Sequence, residues 1–284
     1  MISVLQLGTI DYATGLRLQQ RLVAMRKDGQ TGDVLLLLEH TPVITLGRNA
    51  KAANILASPE TLTERGVELF ECDRGGDVTF HGPGQLVGYA IFDLRGFPSP
   101  ETKRAHLGAV EYVRRLEEVL IRTCADFGIG AERVPGLTGV WTTGGHAGKG
   151  NVGTDALARP GGSQTGPSSN PQQAKIAALG VHISRGVTSH GFAVNVNPNL
   201  EYFELIVPCG ITSKPVTSIA KELGREVPFE DVVHSVSRNF GTVFGSQILW
   251  LESLDALLGH TLGVPLQTPV ELRRIHKEED TFRA

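Results

Sequence analysis

Three stretches of this sequence place reactive side chains where regular structure has no need of them. Arg74 to Gln85 reads RGGDVTFHGPGQ, with four glycines, one proline, one arginine and one histidine in twelve residues. Glycines beside the strand-like Val78-Thr79-Phe80 let backbone approach a ligand without a Cβ in the way. Their N–H groups can donate to a carbonyl or a phosphate. The stretch is therefore either one wall of a pocket, with Arg74 and His81 at its ends, or a tight hairpin with incidental polar residues. Cys209 lies in Val207-Pro208-Cys209-Gly210, followed by Thr212 and Ser213. Proline before it and glycine after it put the thiol on a turn, where free N–H groups around Gly210 would support a thiolate or an oxyanion. Lys175 precedes the apolar run Ile176-Ala177-Ala178-Leu179-Gly180. A lysine at the mouth of such a strand can lose hydration and act as a base. The plainer reading is an exposed lysine closing a loop.

The other candidates read as structure. Cys124 falls on an apolar helical stripe and is expected in the core. Cys72 ends a strand and is expected to pack. The nine histidines form no HxH or HExxH pattern and the three cysteines no CxxC, so no metal site is expected. Gly144 to Gly150, GGHAGKG, invites comparison with a phosphate loop, but the spacing before Lys149 is wrong and Gly150 stands where Ser or Thr should bind magnesium. A net charge of −3 argues against a dedicated nucleic-acid binder. Apolar runs such as Val34 to Leu38 are too short to span a bilayer. The opening MISVLQLGTIDYA lacks the basic-then-apolar pattern of a signal peptide, and three sparse cysteines suit reduced thiols, so a cytoplasmic protein is expected.

The positioning elements follow from periodicity. Helices are predicted over 12–27, 61–65, 101–127, 217–223, 229–244 and 251–258. Strands are predicted over 34–38, 43–46, 67–72, 86–94, 139–141, 176–183, 192–196 and 206–207. Mixed strands and helices without a repeat indicate one α/β (α+β) domain across 1–284, a mixed β-sheet flanked by helices. Residues 142–173 are rich in Gly, Ser, Pro, Asn and Gln and read as a flexible insertion, and a polar tail is expected from about 260. Arg114, Arg115 and Arg122, near Lys103 and Arg104 on the long helix, read as a solvated face, with a docking patch for an acidic partner as the alternative. His40 is expected to cap a strand end, and His234, His260 and His276 to face solvent.

RGGDVTFHGPGQLVGY resembles the signature of the lipoyl(octanoyl) transferases. LLLLEHTPVITLGRNA upstream and LTGVW downstream fit the same family, as does KIAALGVHISRGVTSHGFAVNVNPNLEYFELIVPCGI further on. The resemblance covers most of residues 30–225, with several motifs in order. It departs at the insertion and after about 260. It implies a biotin/lipoate protein ligase-like fold and a Cys209/Lys175 dyad at the family's spacing of 34 residues. It also implies that Arg74, Gly75, Gly76, Asp77, Val78, Thr79, Phe80 and His81 line an acyl pocket with Ala178, Leu179, Gly180, Gly191, Phe192 and Ala193. The implied reaction takes an octanoyl thioester from acyl carrier protein, forms an acyl-thioester on Cys209, and delivers the acyl group to a lysine of an apo-lipoyl domain. The acceptors would be 2-oxoacid dehydrogenase complexes and the glycine cleavage H protein, with no cofactor and no ATP. His81 would polarise the carbonyl or orient the cysteine, and His190 is open in the same way. The competing readings are an ATP-dependent lipoate or biotin protein ligase, for which RGGDVTFHGPGQ is a poor adenylate loop, and an inactive module that docks lipoyl domains.

Overall fold

The computed structural model describes residues 1–99, 106–143, 173–212, 214–254 and 256–257. Its frame is an eight-stranded mixed sheet in the order β11-β1-β2-β6-β10-β9-β8-β7. These strands are β1 (Ile2–Ile10), β2 (Asp33–His40), β6 (Gln85–Ile91), β7 (Ala131–Val134), β8 (Leu137–Thr142), β9 (Lys175–Ser184), β10 (Val187–Asn195) and β11 (Ile248–Leu251). A second sheet of three strands, β3 (Val43–Leu46), β4 (Glu68–Glu71) and β5 (Val78–His81), runs in the order β4-β3-β5. The expected mixed α/β architecture is present.

Helices cover both faces of the large sheet, which is why β2 is apolar without alternation. Val34 to Leu38 are all buried. Leu35 and Leu37 join one core cluster with Val119, Leu120 and Phe240, from helices α3 (Ala109–Asp126) and α5 (Phe229–Phe244). Leu36 and Leu38 join another with Leu18 and Leu22 of helix α1 (Tyr12–Lys27). Asp11 starts α1 by accepting from the Thr14 N–H, as an N-cap aspartate does. The three-stranded sheet has its own cluster, Ile44, Val78, Phe80 and Leu62 of helix α2 (Pro59–Glu64), closed by Leu205 and Ile206.

Several boundaries differ from the sequence expectation. Strand β1 was not predicted: Gly8, at φ 66°, breaks its alternation, and its pairing with β2 shifts register between Gln6 and Thr9. β7 and β11 are four-residue edge strands, too short for a periodic signal. The strand expected over 206–207 reduces to an isolated bridge between Ile206 and Ile55, which follows a 3-10 turn, Leu200–Leu205. The strand expected over 67–72 shortens to β4, an exposed sheet edge. The helix over 101–127 starts at Ala109 after Gly108, with 100–105 outside the described residues. Helix α4 (Ile219–Leu223) starts after Ser218, whose side chain accepts from the Lys221 N–H. Over 251–258, Leu251 ends β11 and helical residues begin at Leu254. Residues 144–172 of the expected insertion and the tail from 258 lie outside the described residues. The insertion's two ends are joined, since Thr142 N–H donates to Ala174 O at 2.9 Å.

Strands β6 and β10 approach so closely that a Cβ on Gly191 would stand 2.2 Å from Gly88 O. Backbone must then move, so Gly191→Ala should destabilise the fold by about 1–3 kcal/mol in urea unfolding. Val110→Ala, at an exposed helix position, should change stability by under about 0.5 kcal/mol.

Candidate active site

Lys175 opens β9 and Cys209 sits in the 3-10 turn Pro208–Gly210. The two meet: Lys175 Nζ donates to Cys209 Sγ at 3.2 Å. Backbone bonds clamp the lysine, since Lys175 N–H donates to Pro215 O at 2.8 Å and Lys175 O accepts from Thr217 N–H at 2.9 Å. Its side chain is 6% exposed and runs over Trp141, with Nζ 5.2 Å from the ring centroid. Gly139 leaves the side chain its path: a Cβ there would stand 2.8 Å from Lys175 Cε. Among the described residues, no carboxylate pairs with Lys175.

Cys209 itself takes φ 55°, an uncommon value for a residue with a Cβ. The turn holding it is tethered from outside. Val207 N–H donates to Asn54 O at 2.7 Å, and Asn54 Nδ2 donates to Asp77 Oδ2 at 2.5 Å. Asp77 Oδ1 accepts from the N–H groups of Lys51 and Val78. Asp77 thus anchors the cysteine turn. The N–H groups of Gly210 and Ile211 donate to Val207 O and Pro208 O, so they close the turn and are not free to serve an oxyanion as the sequence suggested.

Next to the thiol lies a narrow cavity of about 40 Å³, open at its mouth. Arg74, Gly76, Thr79, His81, Ala178, Leu179, Gly180, Gly191, Phe192, Ala193 and Cys209 line it, as do Tyr12, Val87, Tyr89 and His190. Val78 and Phe80 do not, because side chains alternate along β5. Thr79 and His81 face the cavity, while Val78 and Phe80 enter the small sheet's core, Phe80 stacked on Tyr202 at 4.8 Å. Gly75 is outside the lining too; its N–H donates to Val181 O at 3.0 Å and pins the glycine loop over β9. Gly180 admits that loop, since a Cβ there would stand 2.8 Å from Gly75 O. Arg74 spends its guanidinium on Thr45 O, Thr45 Oγ1 and Gly75 O. Tyr12 comes from a distant element and left no local signal. Val87 and Tyr89 follow the motif at a spacing of two, which was readable as one strand face.

The protonation of His81 follows from a chain of hydrogen bonds ending on a carbonyl. Thr217 O can only accept, so Asn195 Nδ2 donates to it at 2.8 Å. Asn195 Oδ1 then accepts from Gln85 Nε2 at 2.8 Å, which leaves Gln85 Oε1 to accept from His81 Nδ1–H at 2.7 Å. Burial, with His40 close by, pushes the His81 pKa down to about 3. His81 is therefore neutral with an unprotonated Nε2, an acceptor that cannot polarise a carbonyl by donating to it. His40 closes the end of β2 as expected, Nδ1–H donating to Ile10 O at 2.9 Å, but it is fully buried and accepts from Tyr89 OH at 2.5 Å. Burial holds its pKa down to about 4. His190 donates from Nε2 to Asp73 at 2.8 Å, and burial lowers its pKa as well.

The remaining expectations resolve simply. Cys124 is buried in the core and its pKa is pushed up to about 12 by burial. The half-buried Cys72 donates to Leu46 O at 3.4 Å. Arg114, Arg115 and Arg122 each pair with a carboxylate of their own helix, Glu117, Glu111 and Glu118. They border a cleft of about 940 Å³ that shares no residue with the cysteine cavity. His234 is exposed beside Trp250; His260 and His276 lie outside the described residues. No group of three or more His, Cys, Asp or Glu able to hold a metal occurs among the described residues.

A family model described as lipoyl protein ligase A/B catalytic domain matches residues 11–241, a span containing both Lys175 and Cys209. The chain belongs to this family. Two family relatives named octanoyltransferase are close in sequence. That of Koribacter versatilis is 56% identical over 279 residues, covering 98% of each chain. That of Acidobacterium capsulatum is 55% identical over 260 residues, 91% of this chain and 96% of its own. Among solved structures, lipoate-protein ligase A bound with ATP superposes with a TM-score of 0.61 at 14% identity, over 98% of this chain and 94% of that one. The bipartite lipoate protein ligase of Thermoplasma acidophilum gives 0.61 at 14%, over 97% and 90%. These two likenesses establish the lipoate ligase fold expected from the motifs. The family match ends at 241, before the tail that resembled nothing.

The buried imidazoles of this family member make a pH test. Unfolded, His40 and His81 titrate near 6.5; folded, they stay neutral to about 4 and about 3. Below about pH 6.5 the unfolded chain binds more protons, so stability is full above that pH and lost as pH falls. Urea unfolding at pH 7.5 and at pH 5 should differ, with a slope approaching 1.4 kcal/mol per pH unit for each histidine. His40→Gln should flatten that slope; an unchanged slope contradicts the assignment.

Proposed function

We propose that this protein is an octanoyltransferase of protein lipoylation. It takes the acyl group as a thioester from acyl carrier protein, holds it on Cys209, and passes it to the target lysine of an apo-lipoyl domain. The observation that carries this reading is the 3.2 Å approach of Lys175 Nζ to Cys209 Sγ beside the cavity. The octanoyltransferase names of relatives more than half identical support the acyl group. The acceptors in this reading are lipoyl domains of 2-oxoacid dehydrogenase complexes and the glycine cleavage H protein. No helix among the described residues is long and apolar enough to cross a membrane.

The steps balance around one proton on Lys175. The ammonium stabilises the Cys209 thiolate, which attacks the thioester carbonyl. Collapse breaks the donor C–S bond, and Lys175 gives its proton to the departing thiolate. The acceptor ammonium gives one proton to neutral Lys175, and the resulting amine attacks the Cys209 thioester. A second N–H proton passes to solvent as the C–N bond forms and the C–S bond to Cys209 breaks, which restores the starting pair and leaves one N–H on the amide. His81 Nε2, an acceptor facing the cavity, is suited to hold an N–H of the incoming amine. The donor thioester already supplies an activated acyl group, so ATP has no step to perform.

Magnitudes divide the labour of Lys175. A free thiol with a pKa of about 8.5 is already a few per cent ionised near neutrality, so full ionisation gains roughly ten- to thirtyfold. A free lysine amine is neutral in only about one molecule in a few thousand, so handling its proton is the larger task, roughly 4–5 kcal/mol. Lys175→Ala should therefore slow acyl-enzyme formation by about ten- to thirtyfold and amide formation by more, in single-turnover assays without ATP. Slowed acylation with untouched amide formation would refute this division. Transfer that requires ATP and free octanoate would instead make the protein a ligase.

A further inference from the structure

We propose that His190 is the residue that sets acyl-chain length, by closing the far end of the cavity. This rests on the acyl-transfer reading and adds a specificity determinant to it. His190 lines the cavity that contains Cys209, and it also lines a second cavity of about 300 Å³ on its other side. No other residue is common to the two linings.

The strand register places this wall. On β9 the cavity is lined by Ala178, Leu179 and Gly180, with Lys175 three residues nearer the strand start. Ala178 pairs with Ala193, and Val181 pairs with His190. From the first pair to the second is three residues, roughly 10 Å of strand. An extended eight-carbon acyl group spans roughly 9 Å from carbonyl to methyl. A chain attached at the Cys209 end therefore runs out of room at the imidazole.

The imidazole is held as a fixed partition. Its Nε2–H donates to Asp73 at 2.8 Å, and its ring meets Tyr89 edge to face at 6.2 Å. The backbone supports it separately, with His190 N–H donating to Gln19 Oε1 at 2.7 Å. Behind the partition, Leu16, Val23 and Ala24 of α1 offer an apolar surface for further methylenes. His190 also takes φ 57°, a left-handed value that favours glycine. Removing the side chain as His190→Gly would thus open the wall, keep the Gln19 bond and relieve the backbone.

The test compares octanoyl- and decanoyl-acyl carrier protein as donors for wild type, His190→Gly and Asp73→Ala. Each methylene that gains a buried place is worth about fourfold. The decanoyl-to-octanoyl ratio of kcat/KM should rise about fifteenfold in His190→Gly. It should rise about fourfold in Asp73→Ala, which frees the imidazole from an exposed position and carries the test if the glycine variant does not fold. Ratios unchanged in the folded variants, with the wild type transferring octanoate, overturn the role of His190 alone. A wild type that uses neither donor overturns the proposed function itself.

Discussion

The architecture around the site serves one contact, a lysine ammonium donating to a cysteine sulfur at 3.2 Å. Neither partner is held by the other's element. Lys175 is fixed by the sheet and by the 215–217 segment, which bridges to it; Cys209 is fixed by a turn hung from Asn54 and Asp77 of the small sheet's loops. The contact therefore lies at the seam between two sheets. A left-handed backbone at Cys209 and a glycine at 139 are local departures that let the two side chains reach one point. Such departures persist only where the surroundings over-determine them, and four backbone and side-chain bonds around the cysteine turn do so.

The polar interior beside the contact is organised from a single carbonyl. Thr217 O orients Asn195, Asn195 orients Gln85, and Gln85 fixes the tautomer of His81. The same Thr217 offers its N–H to Lys175 O, so the wall of the cavity and the base of the lysine share one anchor. A buried network of this kind is stable only when each member is satisfied, and its burial keeps His81 neutral. The histidine thus presents a lone pair to the cavity that opens beside the Lys175–Cys209 contact.

Much of this was legible in the sequence, for identifiable reasons. The apolar run of β2 and the three-and-four spacing of α3 announce burial directly, and the match of Lys175 and Cys209 to a known spacing brought together two residues from separate elements. Treating Arg74 to His81 as one block hid the alternation of β5, which sends Val78 and Phe80 into a core and only Thr79 and His81 to the cavity. Tyr12 and His190 could not be joined from sequence, because only the strand order β1-β2-β6-β10 carries α1 over the cavity floor. The amides at Gly210 looked free because a turn's internal bonds leave no trace in residue type. β1 was lost to one glycine that shifts its register.

The central claim is that the acyl group rests on Cys209. Intact-mass measurement after mixing the protein with octanoyl-acyl carrier protein, without ATP, tests it most directly. The account predicts a gain of one octanoyl unit that hydroxylamine removes and that Cys209→Ala abolishes. A gain that persists in Cys209→Ala, or octanoyl transfer to a lipoyl domain by that variant at the wild-type rate, would contradict it.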